Sequence, residues 1–364
     1  MVSTELKDVF LSLVRLGIDH TAGALPEEVD WKELQSLAER QGLAAVVLDG
    51  LDILVREGRL PREKDMDPKQ KMQWIGQVLQ NYEFRYEPYR RAIDDLAEFY
   101  NSHGFKMMVL KGYACSLDWP KPEHRPSGDI DIWQFGQWRE ADASLASEKG
   151  VQIDSSHHHH TVFSWRGFTV ENHYDFINVH HHRSHRALEK ILKEMGADDS
   201  FYAEVNGQRV YLPSANLHAL FLMKHMMLHF STGEINLKQL LDWAFFVEKH
   251  GHAVDWPQIE EMLERFGMKE LYGIFNAICV EELGFDANHF NYLHFDPNLK
   301  DRVLNEILSP KFSGETPSSL FPRLAFKYHR WRANTWKHRL CYPDSMWSAF
   351  WSGVWSHLLK PRSI

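Results

Sequence analysis

The chain has 364 residues, of which 44% are hydrophobic and 25% are charged, values that are ordinary for a globular protein. This length is too great for one hydrophobic core and predicts two or three substructures. The formal net charge of −9 argues against a general nucleic-acid-binding protein, and three widely spaced cysteines give no disulfide framework or zinc ribbon. The sequence shows neither a signal-peptide pattern nor an apolar run of membrane-spanning length, so we expect a cytoplasmic protein.

The first substructure, residues 1–104, is predicted to be helical. The segments "DVFLSLVRLGI" and "YEFRYEPYRRAIDDLAEFYNSHG" carry apolar residues at helical spacing. Asp30 precedes another periodic segment and is predicted to be its N-terminal cap, and Gly104 is placed to end the last helix of the region.

The pattern changes after Gly104, and residues 105–211 are predicted to form a mixed α/β core. Strands are predicted for "FKMMVL", "DIDIWQF", "VQID", "HHTVFSW" and "FTVENHYDF", and a helix for "QWREADASLASEKG". Arg166 and Gly167 are the predicted hairpin turn between the last two strands. The fold class is therefore α+β, with a mixed sheet between helical N-terminal and C-terminal regions.

Residues 212–364 are predicted to be helical again and to end in a basic, tryptophan-rich tail. A stripe of apolar residues recurs there at helical period: Trp347, Phe350, Trp351, Val354, Trp355 and Leu358. Packing against the rest of the chain is the favoured interpretation. A peripheral membrane-surface helix and an aromatic nucleic-acid platform are the alternatives.

Two carboxylates one residue apart are the first chemical signal. On a strand, Asp129 and Asp131 project to the same side, while Ile130 and Ile132 pack behind them. Two ionised carboxylates this close repel each other unless a cation lies between them. The pattern fits a magnesium site, and a solvated edge strand is the alternative.

A glycine turn and a third acid complete the pattern. Lys111 and Gly112 follow a buried strand and precede a predicted short helix, an arrangement that lets backbone N–H groups approach a phosphate. Phosphoryl transfer with two metal ions calls for a further carboxylate. Glu171 is the best candidate because it shares a strand face with His173 and Asp175, and Asp175 is the second choice.

The combination "VLKG", "HRPSGDIDIW" and "FTVENH" resembles the nucleotidyltransferase superfamily that includes DNA polymerase beta. Within it, the chain is similar to a bacterial group of uncharacterised nucleotidyltransferases, and the likeness covers most of residues 5 to 300. The segments "DWKELQSLAERQGLAAVVLDGL", "HALFLMKHMMLHF" and "LKQLLDWAFFV" carry it on both sides of the core. The resemblance implies a nucleotidyltransferase-like sheet core.

The resemblance also implies roles for individual residues. Asp129, Asp131 and Glu171 would be catalytic and would hold two Mg²⁺ ions, with a nucleoside triphosphate as substrate. Five residues would contact the nucleotide or line its cleft: Lys111, Gly112, Arg125, Lys238 and Asp242. His173 and Asp175 would lie near the acceptor.

The histidine content suggests other metal sites. The segment "HHHH" at residues 157–160 could contribute to a zinc site, although a polar strand face near the cleft is the favoured interpretation. His225 and His229 lie four residues apart on a predicted helix, which would suit a histidine-based metal hydrolase. Buried structural histidines are the favoured interpretation of this second pair. A helix ion pair is the alternative interpretation of Lys238 and Asp242.

We therefore expect an enzyme that moves a nucleoside monophosphate from a nucleoside triphosphate to an acceptor hydroxyl. The acceptor could be a small molecule, a sugar, a protein side chain or an RNA end, and the acidic net charge slightly favours the first three. Tyr113 stands where the superfamily usually has a small hydroxyl residue, and the interval from Gly112 to Asp129 is long. These departures leave a catalytically degenerate interaction module as the alternative, with the metal hydrolase as a further one.

Overall fold

A computed structural model describes residues 2–22, 29–59, 66–180, 182–311, 319–348 and 351. Five helices precede the sheet: α1 (Thr4–Gly17), α2 (Trp31–Arg40), α3 (Ala44–Arg56), α4 (Pro68–Val78) and α5 (Phe84–Ser102). As predicted, the Asp30 carboxylate caps α2 by accepting from the backbone N–H groups of Lys32 and Glu33. Gly104 follows α5 with a φ of 77°, a conformation that favours glycine.

The central region combines strands with three helices. Its elements are β1 (Met108–Val109), α6 (Tyr113–Ser116), β2 (Ile130–Trp133), α7 (Trp138–Lys149), β3 (His160–Trp165), β4 (Phe168–His173), α8 (Arg183–Gly196), β5 (Tyr202–Val205) and β6 (Gln208–Tyr211). The predicted strand "VQID" is wrong, because Asp154 makes only an isolated bridge to Val162. The predicted first strand is shortened to two residues, since only Met108 and Val109 pair with β2.

The six strands form one mixed sheet in the order β3-β4-β2-β1-β6-β5. β2 pairs with β4 in parallel and with β1 antiparallel, and β3 and β4 form the predicted hairpin. Arg166 and Gly167 both have positive φ, 51° and 84°, as a tight two-residue hairpin turn requires. The α+β fold predicted from the sequence is therefore confirmed.

Seven further α-helices follow the sheet in the described chain: α9 (Ala215–Thr232), α10 (Leu237–His250), α11 (Trp256–Arg265), α12 (Lys269–Ala277), α13 (Pro297–Leu308), α14 (Leu320–Ala333) and α15 (Thr335–Cys341). None of the helices within the described ranges is long and apolar enough to cross a membrane. Of the predicted tryptophan stripe, Trp347 and Trp351 are exposed. Its other members, Phe350, Val354, Trp355 and Leu358, lie outside the described residues.

The apolar side chains form two clusters on opposite faces of the sheet. One joins α5 and α7 to Ile130, Ile132 and Val170. The other gathers most of the remaining helices and reaches the sheet at Met108 and Trp133. Because residues alternate along β2, Asp129 and Asp131 lie on the second face, opposite the two isoleucines. The predicted boundaries between the three regions, after residues 104 and 211, stay a prediction. The second cluster contains residues from the N-terminal, central and C-terminal regions.

Candidate active site

Two neighbouring strands bring the predicted acids together. In the parallel pair β2–β4, Asp131 lies directly opposite Glu171, and Asp129 immediately precedes β2. Apolar and acidic residues alternate along both strands. Ile130 and Val170 are buried together on the other face of the sheet, and this burial specifies the register of the pair. Register and strand alternation therefore place all three carboxylates on one face.

Asp131 is the buried member of this group, with 3% of its side chain exposed. The Lys111 ammonium lies 2.9 Å from Oδ1 of Asp131, and Nε2 of His173 lies 3.2 Å from the same oxygen. Burial raises the pKa of Asp131, but Lys111 and His173 outweigh burial and hold this pKa well below its usual range. Asp131 is therefore ionised and paired with two cationic groups.

Glu171 shares His173 with Asp131. Nε2 of His173 lies 3.6 Å from Oε2 of Glu171, and Nε2 of His160 lies 3.9 Å from Oε1 of Glu171. Burial lowers the pKa of His173, but the hydrogen bonds to Asp131 and Glu171 reverse this and raise it to about 9. Burial raises the pKa of Glu171, but the hydrogen bond from His173 and the nearby charges of His160 and Lys111 together outweigh burial, so the net shift is downward. His173 is therefore an imidazolium between two carboxylates at neutral pH.

Asp129 is the exposed acid of the three. Partial burial raises its pKa, and the nearby negative charges of Glu171 and Asp131 raise it further. Mutual repulsion of this kind is relieved by a divalent cation. Asp131, Glu171 and His173 each offer a ligand atom within 4.8 Å of one another. This donor set fits a divalent ion, and the two carboxylates with Asp129 suit magnesium in particular.

Gly112 forms a tight turn beside the acids. Its φ is 57°, and an added Cβ would lie 2.7 Å from the Tyr89 hydroxyl and 3.3 Å from the carbonyl oxygen of Asp129. Tyr89 in turn donates a hydrogen bond to that carbonyl oxygen at 3.2 Å. The helix α6 that follows has only four residues. It is too short to favour anions through its N-terminus, as the sequence argument had expected.

Arg125 and Asp242 form a buried pair at some remove from the acids. The Arg125 guanidinium donates to both oxygens of Asp242, at 2.7 Å and 2.9 Å, and the Trp119 indole N–H donates to Oδ1 at 2.8 Å. The charge of Asp242 acts on Lys238, but the ion pair that Asp242 forms is with Arg125 rather than the Lys238–Asp242 helix pair considered as an alternative. Burial, followed by the charge of Arg125, lowers the pKa of Lys238 to about 8.

Asp175 is not brought into the carboxylate group. Its carboxylate pairs with Lys193 on α8, and its backbone oxygen lies 3.3 Å from Nδ1 of His173. His173 itself lies directly between Asp131 and Glu171. Of the two residues predicted near the acceptor, the structure thus brings only His173 to the acids.

Sequence reasoning missed His160 and Tyr89 as neighbours of the site. His160 pairs with His173 across the β3–β4 hairpin. The sequence contained the information needed to find His160. A two-residue turn at Arg166 and Gly167 determines which residues of β3 and β4 lie opposite each other. Tyr89 could not be found in this way, since it reaches Asp129 from α5 by tertiary packing alone.

The second histidine pair lies on α9. The rings of His225 and His229 are 4.3 Å apart, and Nδ1 of His229 lies 3.7 Å from Glu234. Burial lowers the pKa of His225 well below its ordinary value, and the positive charge of Lys111 lowers it further. Within the described residues, neither histidine belongs to a group of three potential metal ligands. This arrangement favours structural histidines over a hydrolase centre.

A protein-family model described as "uncharacterised nucleotidyltransferase" matches residues 27–284, more than two thirds of the chain. The match spans Lys111, Asp129, Asp131, Glu171 and Asp242. No curated protein and no solved structure shows a significant match to the chain.

Proposed function

Because the chain belongs to this family of uncharacterised nucleotidyltransferases, we propose that it transfers a nucleoside monophosphate from a nucleoside triphosphate to an acceptor hydroxyl. Asp129, Asp131 and Glu171 would hold two Mg²⁺ ions. The observation that supports this most is the β2–β4 register, which sets Asp131 opposite Glu171 with Asp129 on the same face.

In this reaction an acceptor oxygen bonds to the α-phosphorus, and the bond from that phosphorus to the bridging oxygen breaks. Pyrophosphate leaves with the bonding electron pair, and the acceptor hydroxyl loses its proton. Glu171 suits proton acceptance because it is ionised and 24% exposed, whereas His173 already carries a proton. Bound divalent ions would supply charge neutralisation at the triphosphate.

Lys111 and Gly112 would receive the phosphates. The Lys111 ammonium is 23% exposed and remains charged, because Asp131 and Glu171 outweigh the effect of burial and raise its pKa. A cation and a narrow glycine turn next to the carboxylates can orient an anionic substrate at low entropic cost. The acidic net charge favours a small molecule, a sugar or a protein side chain as the acceptor over a nucleic acid.

Thermal unfolding with each nucleoside triphosphate, with and without Mg²⁺, tests the proposal. A nucleotide at 100 times its Kd stabilises the folded state by about 2.7 kcal/mol, and we expect this shift only when Mg²⁺ is present. The double variant D129N/D131N should lose the shift. The control D8N/D301N removes two acids on exposed helix surfaces and should retain it. Equal stabilisation of wild type and D129N/D131N would refute the metal-dependent site.

A degenerate, non-catalytic module is the second candidate, and one observation favours it. Lys111 and His173 already neutralise Asp131 without a metal ion. Such a module would bind nucleotide equally well with and without Mg²⁺ and would release no pyrophosphate with any acceptor. An active enzyme would be stabilised by the nucleotide only in the presence of Mg²⁺, so the same thermal unfolding experiment separates the two functions.

A further inference from the structure

A cluster of imidazoles borders the carboxylates on the side of the β3–β4 hairpin. His159, His160 and His173 each offer a ring nitrogen within 4.8 Å of the other two. The ring centres lie 4.3 Å apart for His159 and His160, 5.2 Å for His160 and His173, and 5.6 Å for His159 and His173. Three imidazoles at this separation are within a small side-chain rotation of a common ion.

The backbone fixes the positions of these three residues. His160 and His173 are directly opposite in the antiparallel ladder, which is closed by a two-residue turn. The carbonyl oxygen of His159 accepts from the backbone N–H groups of Tyr174 and Asp175, at 3.0 Å and 3.1 Å. The chain segments on both sides of the cluster are therefore tied together independently of any histidine side chain.

Two ring nitrogens of the cluster have unused hydrogen-bonding capacity. Nδ1 of His159 and Nδ1 of His160 are buried and make no hydrogen bond to any described residue. A buried polar atom without a partner is costly, so native proteins seldom leave one without a water or an ion.

Glu171 supplies a carboxylate to the same place. Its Oε1 lies 3.9 Å from Nε2 of His160, and its Oε2 lies 3.6 Å from Nε2 of His173. Each carboxylate oxygen of Glu171 therefore lies within 3.9 Å of an imidazole nitrogen of the cluster. An ion that binds His173 would displace a ring proton to solvent and take over its positive charge toward the two carboxylates.

We propose that His159, His160 and His173, with Glu171, bind one borderline transition-metal ion, with Zn²⁺ as the first candidate. Neutral imidazole nitrogens with one carboxylate are ligands that Zn²⁺ prefers and that Mg²⁺ does not. This second centre is distinct from the oxygen-ligand site in its chemistry, and it does not depend on the proposed transferase activity. Glu171 would join the two centres.

The test uses the untagged full-length chain, stripped of metal and titrated with Co²⁺ and then with Zn²⁺ in excess Mg²⁺. We expect one Co²⁺ per chain, with the visible absorption of a tetrahedral site, and displacement of this Co²⁺ by one Zn²⁺. H159N and H160N should each weaken Co²⁺ affinity by at least about tenfold. The control H252N changes an exposed histidine on the 3₁₀ turn after α10 and should bind like wild type.

A second arm separates this site from the proposed transferase site. D129N should leave Co²⁺ stoichiometry unchanged while removing the Mg²⁺-dependent effect of nucleotide. Circular dichroism of the metal-free variants shows whether they are folded. If H159N or H160N is unfolded, X-ray absorption of the cobalt-loaded wild type decides instead, since three imidazoles give a characteristic outer-shell scattering. Absence of a Co²⁺ spectrum in wild type, unchanged binding in folded H159N/H160N or an oxygen-only shell would overturn the proposal.

Discussion

Lys111 and His173 allow Asp131 to remain ionised although it is almost fully buried. An unpaired carboxylate in this position would take up a proton, because burial strongly disfavours its charge. The two cationic contacts, at 2.9 Å and 3.2 Å, reverse that preference. The charge of Asp131 is therefore already compensated, whereas that of Asp129 is opposed by its neighbours.

At Gly112 we predict that G112A destabilises the protein by about 2 kcal/mol, because φ is positive and the added methyl group meets Tyr89. Urea unfolding measures the loss. Y89F removes the hydroxyl that the methyl group would strike, so G112A/Y89F should cost less than the sum of the two single variants. The control G76A adds a methyl group in open space on α4 and should be neutral or stabilising. Strict additivity of G112A and Y89F would contradict the contact.

Lys224 gives a prediction for pH dependence. It is 3% exposed, its ammonium lies 4.3 Å from the Tyr342 ring centre, and burial lowers its pKa to about 8. The unfolded chain, with a pKa near 10.5 at this residue, binds more protons between pH 8 and pH 10.5. Stability from this group therefore rises with pH across that window, by up to about 3 kcal/mol, and the penalty is fully present at pH 7.

Accordingly, K224M should raise the free energy of unfolding at pH 7 by about 1–2 kcal/mol, since methionine avoids the buried charge but loses the cation–π contact. The difference between K224M and wild type should shrink steadily from pH 8 to pH 10. Chemical denaturation at each pH provides the measurement. K190M, on an exposed position of α8, is the control and should show little effect at any pH. A K224M effect that is independent of pH would show that the ammonium is not the cause.

Among the secondary-structure elements, the hairpin was predictable and the parallel pairing was not. Arg166 and Gly167 are a local turn signal, and the hairpin turn predicted from them joins β3 and β4. The β2–β4 pair joins strands separated by α7 and β3, so no local pattern encodes it. Asp129, Asp131 and Glu171 were chosen by strand alternation and resemblance, and the fold brings them together. Asp175 pairs instead with Lys193 on a later helix, which local sequence could not indicate.

The long connection from α6 to β2 is held to α10 by the Arg125–Asp242 ion pair, by the Trp119 hydrogen bond to Asp242 and by the His250–Asp118 contact. The family resemblance assigned Arg125 and Asp242 to the nucleotide site, and two residues 117 positions apart carry no local sign that they pair with each other. In the structure both groups are buried, and Arg125 binds both oxygens of Asp242. This pair supports the loop that leads into Asp129, and its assignment to the nucleotide site stays a prediction.

For this pair we predict that D242N or R125K costs about 3–5 kcal/mol in urea unfolding, because each variant leaves a buried charge with an incomplete partner. The double variant R125M/D242L should cost much less than the sum of its parts. The exposed pair Arg56–Asp52 on α3 provides the control, and R56A/D52A should leave stability nearly unchanged. If D242N leaves stability unchanged and abolishes nucleotide binding, Arg125 and Asp242 belong to the substrate site after all.

Over the whole molecule, the family match ends at residue 284 while the packed chain continues. α15 packs on α9, and Lys337, which is 1% exposed, forms an ion pair of 2.7 Å with Glu306 on α13. The sequence predicted helices here, but it could not show which surface they cover. Helical period identifies an apolar face and leaves its partner unknown. The described C-terminal helices are thus part of the same packed structure as the helices that flank the sheet.

We therefore expect α13 and α15 to unfold together with the family-matched region. E306Q should lower the free energy of unfolding by about 2 kcal/mol, since it leaves the Lys337 ammonium buried beside a neutral amide. Far-UV and near-UV circular dichroism should report the same single transition. The control E270Q, at an exposed position of α12, should have a negligible effect. Two separate transitions in E306Q would mean that the C-terminal helices form an independent unit.

The order of strands across the sheet also bears on how the chain is made. β2 and its two aspartates leave the ribosome before β4, and β6, which pairs with β1, follows later still. Lys111 precedes Asp131 in the chain, so a cation is already present when that carboxylate is synthesised. One edge of β2 nevertheless stays unpaired until β4, which carries Glu171 and His173, has been synthesised. Translation speed between β2 and β4 should therefore influence how much of the newly made protein acquires an intact site.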